Sequence, residues 1–155
     1  MSTRRVWKKI FMILFVLGTL TVGHGQKITK CREEGSGDAP QYRVARTRRV
    51  VLDGVPILRL QISVGAEYFD RKYMIALAER LNRDFCNEKQ LAVAICDDYA
   101  EAKASDLIRD LIMHHPHPGL RGGYDLNRVE GTEGISFSTN RDKPLNEIEI
   151  NLRKQ

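Results

Sequence analysis

The feature that most constrains the fold of this chain is an Asp-Gly pair that separates two strand-like segments. Asp53-Gly54 lies between residues Tyr42–Leu52 and residues Val55–Val64. Both residues of such a pair tolerate a positive φ, which the tight two-residue turn of a β-hairpin requires. Apolar and polar residues alternate in the second segment, so one face of that strand should be buried and the other exposed. The sequence therefore predicts an antiparallel hairpin at this point.

A helix, a buried strand and a second helix are predicted to follow the hairpin. Apolar residues at helical spacing predict a helix that begins after Asp70, a favourable N-cap, and ends near Phe85. Residues Gln90–Cys96 have apolar side chains on both faces, which is typical of a central strand. Asp97-Asp98 ends that strand and can cap a second helix over about Tyr99–Met113.

The last third of the chain is predicted to add three strands. Residues His114–Gly123 are predicted to form a loop. Tyr124–Leu126 and Ile135–Phe137 are predicted to form a second hairpin, and Asn146–Leu152 a final strand. The resulting β-β-α-β-α-β-β-β order predicts a single α+β domain over residues 41–155. We expect a mainly antiparallel sheet of about five to six strands, with the two helices packed on one face.

Residues 1–25 have the pattern of an export signal. A basic segment, Arg4–Lys9, precedes the apolar segment Ile10–Leu20, and small residues precede Gln26. We expect a cleaved signal peptide and a periplasmic or extracellular protein. The alternative is an anchor over residues 10–23, although the apolar segment is shorter than the roughly 20 residues that span a bilayer.

The charge of the chain argues against a broadly basic nucleic-acid-binding protein. The whole sequence carries 25 Lys and Arg against 20 Asp and Glu. Four of the bases and none of the acids lie in residues 1–25, so 21 bases face 20 acids in the rest, a net charge of +1. Residues 26–40 are polar and contain Gly-Ser-Gly and a proline, which predicts a flexible lead-in.

The three cysteines favour one disulfide, because export places the chain in an oxidising compartment. Cys86 ends the first predicted helix, and Cys96 lies roughly 20 Å along the following strand at about 3.3 Å per residue. A disulfide needs Cα atoms within about 7 Å, so these two are badly placed to pair. We therefore predict a Cys31–Cys86 disulfide, with Cys96 as a small buried apolar residue.

Four arginines lie in the first predicted strand, and strand alternation places two of them on each face. Arg46 and Arg48 point to one side, whereas Arg43 and Arg49 point to the other. Tyr42 is the only aromatic residue nearby, whereas surfaces for single-stranded nucleic acid need several. One interpretation is an edge strand protected by charge. The other is a patch formed by Arg46 and Arg48 for anionic lipid headgroups, an acidic polymer or an acidic protein.

A histidine cluster indicates a possible metal site. His114, His115 and His117 could bind Zn, Cu or Ni, with a further ligand from a distant acidic residue: Asp97, Asp98 or Asp125. Their spacing matches no established metal motif. The alternative interpretation is a polar surface loop after a helix C-terminus, where the helix dipole favours histidine.

A thiol or carboxylate enzyme centred on Cys96, Asp97 and Asp98 is a further alternative. Cys96 is predicted at the carboxyl end of a central strand just before a helix, where a thiolate can be stabilised. The two adjacent carboxylates oppose this interpretation, because they would raise the pKa of the thiol. Both aspartates are also explained by ending the strand and capping the helix.

The sequence contains no phosphate-binding glycine loop, nucleophile elbow or zinc-protease motif. We therefore predict a small exported, non-enzymatic domain without a cofactor. It would bind a protein or a cell-envelope component through the open face of its sheet or through Arg46 and Arg48. We expect no nucleic-acid partner, and membrane contact only through an uncleaved N-terminal segment.

Overall fold

The computed structural model describes residues 37–104, 106–113 and 117–153. Within these residues six strands form one sheet, in which strands that are consecutive in the sequence are also adjacent in space. Four of the five pairings are antiparallel, and the second and third strands pair in parallel. The strands are β1 (Arg43–Leu52), β2 (Val55–Ser63), β3 (Gln90–Cys96), β4 (Leu120–Asn127), β5 (Thr132–Phe137) and β6 (Ile148–Asn151).

Three α-helices connect the strands within the described residues: α1 (Arg71–Asp84), α2 (Tyr99–Ala104) and α3 (Leu107–Ile112). A 3₁₀ turn at Ala66–Tyr68 precedes α1. Helix α1 forms the crossover that the parallel pair β2 and β3 requires. The predicted α+β class, with a mainly antiparallel sheet in a single domain, is confirmed.

Local chemistry explains the first hairpin and the start of α1. Asp53 and Gly54 have φ values of 50° and 78°, so both residues of the turn adopt the left-handed conformation that a two-residue hairpin favours. The side chain of Asp70 caps α1 by accepting a hydrogen bond from the backbone N–H of Tyr73 at 3.0 Å. Both features were predicted from the sequence.

The two faces of the sheet carry different apolar cores. On one face, alternate side chains of the strands pack against α1. Strand residues adjacent in sequence point to opposite faces, so the other face receives the alternate set. The core on the α1 face includes Leu58, Leu60, Ile62, Met74, Leu77, Leu81, Leu91, Val93, Ile95, Tyr124 and Phe137.

Helices α2 and α3 lie on the opposite face, which we call the groove face. The expectation that both helical segments pack on one face therefore differs from the structure. Strand β3 contributes apolar side chains to both cores: Val93 and Ile95 pack on the α1 face, whereas Ala94 and Cys96 pack beneath α2 and α3. Because Ala94 and Cys96 are small, the two short helices can approach the sheet closely.

The predicted second helix is split in two by a side chain from β2. Gln61 is buried; its Nε2 donates to the carbonyl of Ala102 at 2.6 Å and its Oε1 accepts from the N–H of Leu107 at 2.9 Å. These bonds satisfy backbone groups that the break leaves without helical partners. In the first of the two short helices, Ala102 is buried, whereas Ala100 and Ala104 are exposed.

Strand β4 begins at Leu120, inside the segment predicted as a loop. Two glycines allow this. A Cβ on Gly123 would lie 2.5 Å from Cδ2 of Leu111, and a Cβ on Gly122 would lie 2.5 Å from the carbonyl oxygen of Ser136. The two glycines therefore serve close packing within the sheet and beneath α3, rather than loop flexibility.

The N-terminal predictions lie outside the described residues, which begin at Gly37. The signal peptide, the alternative anchor and most of the lead-in therefore stay predictions. The end of the lead-in lies on the α1 face, where Asp38 pairs with Lys72 at 3.4 Å and the carbonyl of Pro40 accepts from Arg80 at 3.3 Å. In the part of the chain that the structure describes, no helix is long and apolar enough to cross a membrane.

Candidate functional site

The arginines of β1 divide into two pairs with different surroundings. Arg49 donates two hydrogen bonds to the carboxylate of Glu88, at 2.8 and 2.7 Å. The guanidinium carbon of Arg43 lies 3.6 Å from the centroid of the Tyr99 ring, a cation–π contact. These two contacts attach the edge strand to the turn after α1 and to α2. The prediction that Arg43 lies on the face opposite Arg46 and Arg48 is wrong, because the register shifts between Val44 and Arg46 and places Arg43 on the groove face. The other pair, Arg46 and Arg48, lines a cavity on the groove face.

Arg46, Arg48 and Arg59 converge on that cavity, which we call the arginine pocket. Its volume is about 340 Å³, and Gln61, Asp106 and Ile108 also line it. The register of the first hairpin brings the arginines together, because Arg46 pairs with Gln61 and Arg48 lies directly opposite Arg59. Residues paired across an antiparallel ladder point to the same face, so all three guanidinium groups lie on one side of the sheet.

Among the residues that the structure describes, the lining of the arginine pocket has an excess of positive charge. Its lining contains three guanidinium groups and one carboxylate, that of Asp106. Asp106 lies 3.9 Å from Arg48, with 46% and 67% of the two side chains exposed, so this ion pair is weak. Arg59 is half-buried and forms no ion pair or hydrogen bond with any described residue. Like charges directly opposite one another destabilise a sheet unless an anion lies between them.

A larger open groove adjoins the arginine pocket. Its volume is about 470 Å³, and it lies between α3 and the half of the groove face that the short helices leave uncovered. We call it the sheet groove. Arg59 and Ile108 line both the arginine pocket and the sheet groove, so the two cavities are adjacent. Its apolar walls are formed by Leu52, Ile57, Ile108, Leu111, Ile112 and Leu145.

The floor of the sheet groove is polar. Asp125 lies in the floor and is exposed to solvent, and the partial loss of hydration within the groove raises the pKa of its carboxyl group. No basic side chain among the described residues pairs with Asp125. Glu149 on β6 adds a second carboxylate, and a further cavity of about 480 Å³ extends the surface over β5 and β6. The remaining polar side chains of the groove are Gln90, Asn127, Thr132, Ser136 and Asn146.

Asp97, considered from the sequence as a catalytic carboxylate, is held by two arginines. Its carboxylate accepts from Arg121 at 2.7 Å and from Arg141 at 2.9 and 2.7 Å. The side chains of Asp97 and Arg121 are 2% and 5% exposed, so their ion pair is buried. Arg121 also donates to the carbonyl of Ser138 at 3.0 Å. Asp97 therefore ties β3 to β4 and to the segment that follows β5.

Cys96 and Asp98 are also explained by the fold. Cys96 is fully buried, and burial, followed by the charges of Asp97, Glu101 and Asp98, raises the pKa of its thiol to about 12. The thiol is therefore protonated at neutral pH, which does not favour the thiol-enzyme alternative. Asp98 accepts a hydrogen bond from the N–H of Glu101 at 2.9 Å, which is the capping role predicted for it.

The histidine and disulfide predictions depend partly on residues outside the described ranges. His114 and His115 lie outside them, and Nδ1 of His117 lies 2.6 Å from the carbonyl oxygen of Pro118. Among the described residues, no three His, Cys, Asp or Glu side chains are grouped to hold a metal ion. A site for Zn, Cu or Ni at the three histidines stays a prediction.

The cysteines have different states within the described residues. Cys96 is the free cysteine there, whereas Cys86 is not a free thiol. Cys31 lies outside the described ranges, so the Cys31–Cys86 pairing stays a prediction.

Arg59 is the site residue that sequence reasoning missed, although a signal for it was present. A two-residue hairpin turn at Asp53-Gly54 fixes the register, and counting outward from the turn places Arg48 opposite Arg59. The polar position of Arg59 between Leu58 and Leu60 also indicates the groove face. Asp125 gave no comparable signal, because the groove around it is formed by distant segments.

Comparisons with known proteins give no independent assignment. No family model, no curated protein and no solved structure matches this chain.

Proposed function

We propose that this protein is an exported, non-enzymatic binding domain whose ligand carries an anionic group that binds in the arginine pocket. The observation that supports the proposal most directly is the position of Arg48 opposite Arg59 on the groove face. A ligand anion between these guanidinium groups would offset their repulsion. Guanidinium groups match carboxylate and phosphate oxygens in geometry, and their charge-assisted hydrogen bonds are stronger than neutral ones.

The location of the pocket supports a binding role. It lies at the edge of the sheet, within reach of solvent, and opposite the face where residues 38–40 contact α1. A partner can therefore approach the groove face without displacing residues 38–40. The ligand would be a protein or a cell-envelope component, since the N-terminal segment predicts export.

The proposal is tested with citrate, a compact tricarboxylate, as the probe. Citrate is titrated into the purified protein while NMR follows the arginine side-chain N–H signals. We expect saturable shifts at Arg46, Arg48 and Arg59, and an affinity at least about tenfold weaker in Arg59→Gln.

Arg71→Gln is the matched control, because Arg71 is exposed at the start of α1 on the other face and the substitution removes the same charge. It should bind citrate as the wild type does. Equal citrate affinity in Arg59→Gln and wild type, or shifts spread evenly over surface arginines, would contradict the proposal.

A further inference from the structure

A single row of residues crosses the sheet from β1, at the arginine pocket, to β5. Register places Arg48 opposite Arg59, Arg59 beside Ala92, Ala92 opposite Asp125 and Asp125 opposite Gly134. Paired residues in neighbouring strands point to the same face, so all of them lie on the groove face. The row therefore has two cations at one end, a carboxylate near its middle, and small residues on either side of that carboxylate.

The spacing of these charges suits an extended chain that runs across the strands. Arg59 on β2 and Asp125 on β4 are two strand spacings apart, which is about 10 Å. An extended polypeptide advances about 3.3 Å per residue, so an acidic side chain at Arg59 and a basic one at Asp125 would be separated by two or three residues. Ala92, and Gly134 beyond Asp125, leave room for that chain above the sheet.

The apolar wall of the sheet groove supplies a second requirement for the ligand. Leu52 and Ile112 line the groove and are 51% and 59% exposed, so both leave apolar surface in contact with water. Burying that surface under apolar side chains of a ligand would be favourable. The residues between the two charged ends of the ligand should therefore include apolar ones.

The polar floor distinguishes a peptide from a lipid chain. Gln90 and Ser136 can both donate and accept hydrogen bonds, and Asn127 can donate, since its Oδ1 already accepts from the N–H groups of Val129 and Glu130. A peptide backbone carries a donor and an acceptor at almost every residue and can use such groups. An alkyl chain would bury them without partners, which costs free energy.

We propose that the occupant of the sheet groove is an extended segment of a partner polypeptide that crosses the strands. It places an acidic side chain in the arginine pocket, apolar side chains against α3 and a basic side chain at Asp125. This inference rests on the proposed function, since the same pocket binds the acidic group. The occupant is separate from residues 38–40, which contact α1 on the opposite face.

The test uses random dodecapeptides displayed on phage and selected against the purified, immobilised protein. We expect enrichment of sequences in which an acidic residue precedes or follows a basic residue by three or four positions, with apolar residues between them. A fluorescent peptide of the enriched sequence then gives dissociation constants for the variants. Asp125→Asn should weaken the peptide about tenfold and leave citrate binding unchanged, whereas Arg59→Gln should weaken both.

Asp142→Asn removes the same charge from an exposed residue that lines neither cavity, and should bind peptide and citrate as the wild type does. Selection of no common sequence, or equal peptide affinity in Asp125→Asn and wild type, overturns the peptide inference while citrate binding still supports the arginine pocket. Saturable binding of oleate that displaces citrate and depends on Ile112 also overturns the peptide inference, because the occupant would then be a lipid. A third outcome is that the wild-type protein does not bind citrate but still binds the peptide in a manner that depends on Asp125. This result overturns the role of the arginine pocket in both proposals.

Discussion

The carboxylate of Asp97 is held between one buried and one half-exposed arginine. Arg121 belongs to β4, whereas Arg141 follows β5, so the cluster joins three parts of the chain. A buried ion pair adds little stability relative to apolar residues of the same size, but removal of one partner leaves the other charge buried and uncompensated. Loss of the Asp97 carboxylate should therefore destabilise the fold, independently of any ligand binding.

Asp97→Asn should lower the free energy of unfolding by about 3 kcal/mol, because Arg121 would stay buried without its counter-charge. Urea unfolding measures the change. Asp98→Asn is the matched control, since an asparagine can still accept the capping hydrogen bond from Glu101 and should change stability by less than about 0.5 kcal/mol. Equal, small effects of the two substitutions would show that the arginine cluster contributes nothing to the fold.

The thiol of Cys96 should be unreactive in the native protein and should make stability sensitive to alkaline pH. Its pKa rises from 9.0 to about 12 on folding, so the folded chain retains the proton longer than the unfolded chain. The stabilising contribution is complete below pH 9 and is lost as the pH rises from 9 towards 12. Iodoacetamide at pH 8 should modify Cys96 only after unfolding in urea.

The ionisation of Tyr42 and Tyr124 also lowers the stability of the fold at alkaline pH. A variant is therefore needed to measure the contribution of the Cys96 thiol alone. Burial also raises the pKa values of Tyr42 and Tyr124. Cys96→Ala should therefore retain part of the alkaline loss of stability and show a shallower decline than wild type. Rapid alkylation of Cys96 in the native protein would contradict the buried position and revive the thiol-enzyme alternative.

At the scale of elements, Gln61 connects the sheet to both short helices. It makes one hydrogen bond to each side of the break between α2 and α3. Gln61→Leu retains the side-chain volume but leaves the Ala102 carbonyl and the Leu107 N–H without these partners. We expect a loss of about 2–4 kcal/mol in the free energy of unfolding, together with faster hydrogen exchange at Leu107.

Gln61→Glu provides the control for this prediction. At this buried position a glutamate should be protonated, so it can still accept from the Leu107 N–H and donate to the Ala102 carbonyl. Hydrogen exchange at Leu107 should therefore stay close to that of the wild type. If Gln61→Leu leaves both stability and exchange unchanged, the break in the helix has another cause.

The elements that the sequence predicted well are those determined by neighbouring residues. Asp53-Gly54 determined the turn and its register, and Asp70 determined the start of α1. The split helix could not be predicted, because its cause is Gln61, which lies more than 40 residues earlier. Strand β4 was predicted to begin late, since Gly122 and Gly123 are typical of loops and only the neighbouring Leu111 and Ser136 explain them.

The residues of the candidate site were also predicted well only where neighbouring residues determine their position. Arg46 and Arg48 were predicted to share a face because a strand alternates locally. Asp97 was considered as a catalytic residue because its partners, Arg121 and Arg141, are 24 and 44 positions away. Asp125 entered only as a distant metal ligand, since its position opposite Ala92 depends on the long-range pairing of β3 with β4.

At the scale of the whole molecule, the two faces of the sheet are covered differently. The α1 face contains the larger core and contacts residues 38–40, whereas the groove face is covered only in part by α2 and α3. A domain arranged in this way can be attached to its surroundings on one side and bind a ligand on the other. The predicted Cys31–Cys86 disulfide would strengthen the attachment, because Cys86 follows α1.

The disulfide prediction can be tested together with export. Expression of the full chain in a host with an oxidising periplasm should give a protein that begins at Gln26 and is lighter by two hydrogen atoms than its reduced form. Peptide mapping should find Cys31 joined to Cys86, and Cys31→Ser should lower the free energy of unfolding by about 2–4 kcal/mol, since the bridge limits the unfolded chain. Citrate affinity should not change in Cys31→Ser, because the arginine pocket lies on the opposite face. A retained N-terminal segment would instead indicate the anchored form, and a Cys31 that alkylates freely in the native protein would contradict the disulfide.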